Sequence, residues 1–100
     1  MLPDLSNVYG VIYSPLSKEE IAKSFGKVGW NVRKADWINW EITNDFSELI
    51  IEGDKEILIH GPVSADSFEI LVAKMKEIKL KFSLELYDEQ ENLISEVNNE

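Results

Sequence analysis

His60 is the single histidine of this 100-residue chain, and there is no cysteine. Imidazole chemistry therefore rests on one residue, and thiolate nucleophiles, zinc–thiolate sites and disulfides are excluded. Catalysis by His60 would need a nucleophile within reach and a carboxylate to orient the ring. If residues 47–52 and 55–60 are the arms of a hairpin closed at Gly53-Asp54, Ser47 falls opposite His60. That is a serine–histidine pair without an orienting acid. Asp88-Glu89-Gln90-Glu91-Asn92 concentrates oxygen donors. It lacks the regular ligand spacing and central glycine of a calcium loop, and reads as a solvated turn. Phosphate-cradling glycine loops, dinucleotide fingerprints, nucleophile elbows and two-histidine metal motifs do not occur. No catalytic, metal or cofactor residue is assigned, and the chain is expected not to be an enzyme. A small enzyme or ligand binder working through His60 is the chemical alternative.

Charge carries more information than motif. Ten Lys and Arg stand against 19 Asp and Glu, a formal net charge of −9. Residues 36–54 hold six acids and no base, and residues 82–100 hold six more and no base. The bases gather at residues 18–34 and at Lys74, Lys76, Lys79 and Lys81. Binding to phosphate depends on cationic neutralisation, so nucleic acid and anionic membrane are not the expected partners. A basic protein is. Three tryptophans are present, and tryptophan favours binding hot spots. Alternation along residues 36–43 sends Ile38, Trp40 and Ile42 toward a core and Trp37, Asn39, Glu41 and Thr43 the other way. The expected protein-binding residues are accordingly Trp37, Asp36, Asn39, Glu41 and Glu48.

These side chains need a scaffold. Residues 8–13, rich in β-branched and aromatic types, predict a first strand stopped at Ser14-Pro15. Ser17 followed by Glu20 is a capping box, with Leu16 and Ile21 as its hydrophobic staple. Ile21, Phe25 and Val28 continue the stripe, and Gly29 closes a helix over residues 18–28. After the strand at 36–43, a turn at Asn44-Asp45 leads into the hairpin of 47–52 and 55–60, ended by Gly61-Pro62. A type II′ turn at Gly53-Asp54 pairs Glu52 with Lys55, Ile50 with Ile57 and Leu49 with Leu58. It places Ile50, Ile57 and Ile59 on one face and Leu49, Ile51 and Leu58 on the other. A second helix begins at Ser64 or Asp66, with Asp66 and Glu69 as a further capping pair. Phe68, Leu71, Val72, Met75 and Ile78 form its stripe. Residues 80–87 alternate with Leu80, Phe82, Leu84 and Leu86 inward, and residues 93–97 supply a short return strand.

The expected order is β-α-β-β-β-α-β-(β), a single domain over residues 1–100. Two amphipathic helices must share one face of a sheet, giving an α+β two-layer sandwich with a largely antiparallel sheet of four to six strands. The plan loosely resembles the ferredoxin-like arrangement with one extra strand in the middle, an arrangement that carries no function of its own. No apolar stretch approaches the roughly 20 residues of a spanning helix, and the N-terminus lacks a signal-peptide pattern. With the absence of cysteine, this points to the cytoplasm. The resulting expectation is a non-catalytic acidic protein-binding domain. In size, charge and lack of cysteine it resembles the small acidic antidote or immunity proteins that neutralise basic bacterial toxins. A self-associating structural or regulatory domain, a homodimer through the apolar side of the hairpin, is the other alternative.

Overall fold

The computed structural model describes residues 5–53 and 56–99. Seven strands and two α-helices occur among them: β1 Leu5–Tyr13, α1 Lys18–Lys27, β2 Asn31–Lys34, β3 Trp40–Asn44, β4 Ser47–Gly53, β5 Ile57–Ser64, α2 Phe68–Glu77, β6 Lys81–Tyr87 and β7 Leu93–Asn99. A single turn of 3₁₀ helix, Ala65–Ser67, leads into α2. The strands form one antiparallel sheet in the order β2-β3-β4-β5-β1-β6-β7. Both helical crossovers are split: β5-α2-β6 straddles β1, and β1-α1-β2 straddles β3, β4 and β5. The fold is the expected α+β sandwich, with seven strands in place of four to six.

α1 starts where its local signals place it. Ser17 Oγ accepts from the Glu20 amide at 3.1 Å, and Glu20 Oε1 accepts from the Ser17 amide at 3.2 Å. Ile21, Ala22 and Phe25 are buried, and Leu16 packs against the same core. The helix stops at Gly29, whose φ is +101°, and Trp30 returns its amide to the Phe25 carbonyl. The Trp30 ring meets Phe25 edge-on at 5.4 Å. α1 lies over β2, β3 and β4, and α2 contacts β6. Between the layers lie Val8 and Ile12 of β1, Ile42 of β3, Leu49 and Ile51 of β4, Ile57, Ile59 and Val63 of β5, and Phe82, Leu84 and Leu86 of β6. Gly10 makes this packing possible, since a Cβ there would lie 2.3 Å from Leu84 Cδ2 and 2.5 Å from the Ser83 carbonyl oxygen.

Five expectations about the elements need correction. An additional strand, β2, lies at the sheet edge; only Val32 of its four residues is even half-buried, so no alternation announces it. β3 begins at Trp40, not at residue 36, and Ile38 is 67% exposed instead of sharing the core with Ile42. The β4–β5 ladder is shifted by three residues. Gly53 pairs with Ile57, Glu52 with Leu58, Ile51 with Ile59 and Ile50 with His60. An odd shift exchanges the faces of one arm relative to the other. Leu49, Ile51, Ile57 and Ile59 consequently share the buried side. The Gly53-Asp54 turn type and the Glu52–Lys55 pair involve Asp54 and Lys55, which lie outside the described residues. Gly61-Pro62 does not end β5. Gly61, at φ +148°, lets the Glu48 carbonyl come within 2.1 Å of where a Cβ would stand, and the strand runs on to pair Pro62 with Asn7 and Val63 with Ser6. Finally, α2 begins at Phe68 after the 3₁₀ turn; Ser67 occupies the cap position without a side-chain cap bond, so no Asp66–Glu69 box starts the helix.

Candidate functional site

With both helices on one side, the other side of the sheet is uncovered. The pairings define a continuous row across all seven strands on that open face: Arg33, Glu41, Ile50, His60, Tyr9, Glu85 and Glu96. Each is the direct cross-strand neighbour of the next, so their side chains project together. One flanking row contributes Glu48, Asn7 and Tyr87, and the other Glu52, Leu58, Val11 and Ser83.

Polar contacts organise this face. Arg33 Nε donates to Glu41 Oε1 across the β2–β3 pair, which raises the guanidinium pKa further above its ordinary value through that bond and the charge of Glu41. At the centre, His60 lies near-parallel to Tyr9 with ring centroids 6.3 Å apart, and Tyr87 meets Tyr9 edge-on at 5.7 Å. Tyr87 Oη donates to Glu85 Oε2 at 2.8 Å, and this bond is the main reason that its phenol titrates above 10.0. His60 Nε2 lies 2.8 Å from Glu52 Oε1. The distance is that of an ion pair, but Nε2 is buried without a well-directed hydrogen bond. A bond needs angle as well as distance, so the contact is electrostatic when the ring is protonated.

The expected site residues divide into two groups. Glu41 and Glu48 stand on the open face, on β3 and β4, and both act on Arg33. Asp36, Trp37 and Asn39 lie in the connection between β2 and β3, on neither face of the sheet. Trp37 is 92% exposed at its tip. The connection is held by Asp36, whose Oδ1 accepts from the amides of Ile38 at 2.9 Å and Asn39 at 2.8 Å while Oδ2 accepts from Asn39 Nδ2 at 3.0 Å. The amide of Ala35 closes the turn onto the Asn39 carbonyl at 3.0 Å. Asp36 and Asn39 thus build the loop that presents Trp37. The backbone bonds from Ile38 and Asn39 hold the Asp36 carboxyl below its usual 3.8. Trp40, in contrast, faces the helices and packs against the core, with Lys34 Nζ 5.7 Å from its ring centroid.

Ser47 and His60 do not pair. Ser47 pairs with Val63 and is buried on the helix side, whereas His60 projects from the open side. Among the described residues no three His, Asp or Glu side chains cluster as a metal site, and no helix is long and apolar enough to cross a membrane. Tyr9, Glu52, Glu85, Tyr87 and Glu96 complete the open face and were not among the expected site residues. Alternation alone places Glu85 and Tyr87 opposite the core; only strand order reveals that they neighbour Tyr9 and His60. Comparison with protein-family models, with curated proteins and with solved structures finds no match.

Proposed function

We propose that this domain is a non-catalytic protein-binding module that holds a basic protein against the open face of its sheet. The observation that carries the reading is the composition of that face. Glu41, Glu48, Glu52, Glu85 and Glu96 project from it with Arg33 and Lys81, and Arg33 is already paired with Glu41. The lysines at 18, 23, 27, 74, 76 and 79 belong to the helices and their ends. Carboxylates around half-buried aromatic and aliphatic groups suit a cationic surface: the charges speed association and the rings resist dissociation. Trp37, held out at the sheet margin by the Asp36 turn, is an anchor for the same partner. Size and acidity extend the reading to a cytoplasmic antidote that neutralises a basic toxin.

The test begins with the product of the reading frame next to this one, where toxin and antidote genes commonly lie together. Its binding should weaken steeply with salt. Glu41→Lys with Glu48→Lys should slow association and flatten the salt dependence, and Trp37→Ala should speed dissociation. Unchanged rates for folded variants would remove this face from consideration. Self-association through the hairpin would use Ile50 and Leu58 on the same surface, so gel filtration at two salt concentrations separates the readings. A salt-insensitive dimer favours self-association.

A further inference from the structure

We infer that the centre of the open face contains a receptor well for one cationic side chain, with Tyr9 as its wall and Glu52 and Glu85 as its charged ends. The inference rests on the protein-binding reading and names what that face recognises. A depression of about 380 Å³ is lined there by Tyr9, Val11, Glu52, Leu58, His60 and Glu85, with no lysine or arginine among the described residues of the lining. Its floor is aliphatic, formed by Val11 and Leu58, which are direct cross-strand neighbours. The Tyr9 ring is 50% exposed although His60 and Tyr87 hold it in place.

The carboxylates are prepared in the same way. Glu52 Oε1 lies 2.8 Å from His60 Nε2 without a directed hydrogen bond, and Glu85 Oε2 accepts from Tyr87 Oη. Among the described residues, the second oxygen of each takes no hydrogen bond from the protein, so each carboxylate keeps an oxygen open to an incoming donor. The arrangement matches the structure of an arginine or lysine side chain. Its methylene stem lies on Val11 and Leu58, its charged head reaches a free carboxylate oxygen, and the tyrosine face adds a cation–π attraction. A neutral polar side chain of the same length gains the floor but not the charge.

The probe is an acetylated, amidated hexa-arginine peptide, followed by amide and aromatic NMR shifts of the intact chain at low salt, with hexa-citrulline as the neutral counterpart. Shifts should be largest for Val11, Leu58, His60 and the Tyr9 ring. Glu52→Gln with Glu85→Gln should weaken binding by about fivefold or more, because charge-assisted bonds are lost. Glu48→Gln with Glu96→Gln, which removes two acids of the same face outside the well, should weaken it by about twofold or less. Tyr9→Leu, which keeps an apolar residue in β1, should cost about threefold through the lost ring. The cross-strand amide pattern of β1 confirms that each variant is folded. Equal weakening by the two double variants, or shifts spread evenly over the face, overturns the well but leaves the open-face reading standing. Equal binding of hexa-citrulline overturns the cationic specificity. Absence of hexa-arginine binding at low salt overturns both.

Discussion

On the helix side of the sheet, Val8, Ile42, Leu49, Ile51, Ile59, Val63, Phe82 and Leu84 are fully buried. On the other side, the same strands present Tyr9, Glu41, Glu52, His60, Glu85 and Tyr87. Both sets come from the same chain with a period of two. The difference lies in what each set has for neighbours. The helix side satisfies aliphatic groups by close packing and leaves little to bind. The open side satisfies its polar groups only in part, by lateral pairs such as Tyr87–Glu85 and Arg33–Glu41. Stability therefore belongs mainly to one face, and the proposed recognition of a partner to the other.

The sharpest way to break this division is to truncate one aromatic on each side. Phe82→Ala removes a fully buried ring and should cost about 3–5 kcal/mol in denaturant unfolding. Tyr9→Ala, on the open face, should cost about 1 kcal/mol, the scale of cross-strand pairing. Comparable losses would mean that the open face is a second core. Gly10→Ala probes the border between the sides. Its new methyl would collide with Leu84 Cδ2 and the Ser83 carbonyl, and overpacking of this kind costs about 1–3 kcal/mol. Full stability would show that β1 and β6 approach less closely than described.

How much of this was legible depends on whether a signal is local. The start of α1 rests on Ser17 and Glu20, three residues apart, and was readable outright. So was β6, whose inward Phe82, Leu84 and Leu86 alternate without interruption. The β4–β5 register was not readable, because turn length sets it and each arm holds an uninterrupted run of three apolar residues. Leu49-Ile50-Ile51 facing Ile57-Leu58-Ile59 fits either phase. The segment 36–39 misled for another reason: Trp37 and Ile38 continue an alternating pattern, but the Asp36 side chain captures two following amides and turns the chain instead. Glu41 and Glu48 were legible as part of an acidic run. Tyr9, Glu85 and Glu96 were not legible as their companions, because only the order β5-β1-β6-β7 brings them together.

The covered face also depends on how α1 begins. Ser17→Ala removes the bond to the Glu20 amide and should cost about 1 kcal/mol. Thermal unfolding should show the loss, with the salt dependence of hexa-arginine binding unchanged. A change in that salt dependence would couple the two faces more tightly than the division allows.

Acid should loosen two turns at the margins of the sheet, and only at low pH. Backbone amides depress the Asp36 carboxyl, those of Ile38 and Asn39 being the leading causes, and the Asn92 amide leads the same effect at Asp88. A depressed folded value means that the bonded carboxylate contributes above the unfolded value and loses that contribution as pH falls through the folded one. Both turns should therefore hold at neutral pH and loosen only below the ordinary 3.8. The amide shifts of Ile38, Asn39 and Asn92 should report this. Movement centred near neutral pH would assign the turns to some other group.

Trp37→Ala should have the smallest effect on stability and one of the more telling effects on function. The ring is 92% exposed, so little apolar burial is lost with it. The turn beneath it is made by Asp36, Asn39 and the backbone, none of which requires the indole. Unfolding free energy should change by about 0.5 kcal/mol or less, as for other surface substitutions away from special features. A large exposed ring on a loop braced by four hydrogen bonds has already lost much of the freedom that binding would otherwise remove. If it anchors the partner, its removal should raise the dissociation rate while association, governed by Glu41, Glu48 and their neighbours, stays nearly constant. The reverse pattern, slower association with unchanged dissociation, would place Trp37 outside the contact and leave recognition to the open face alone.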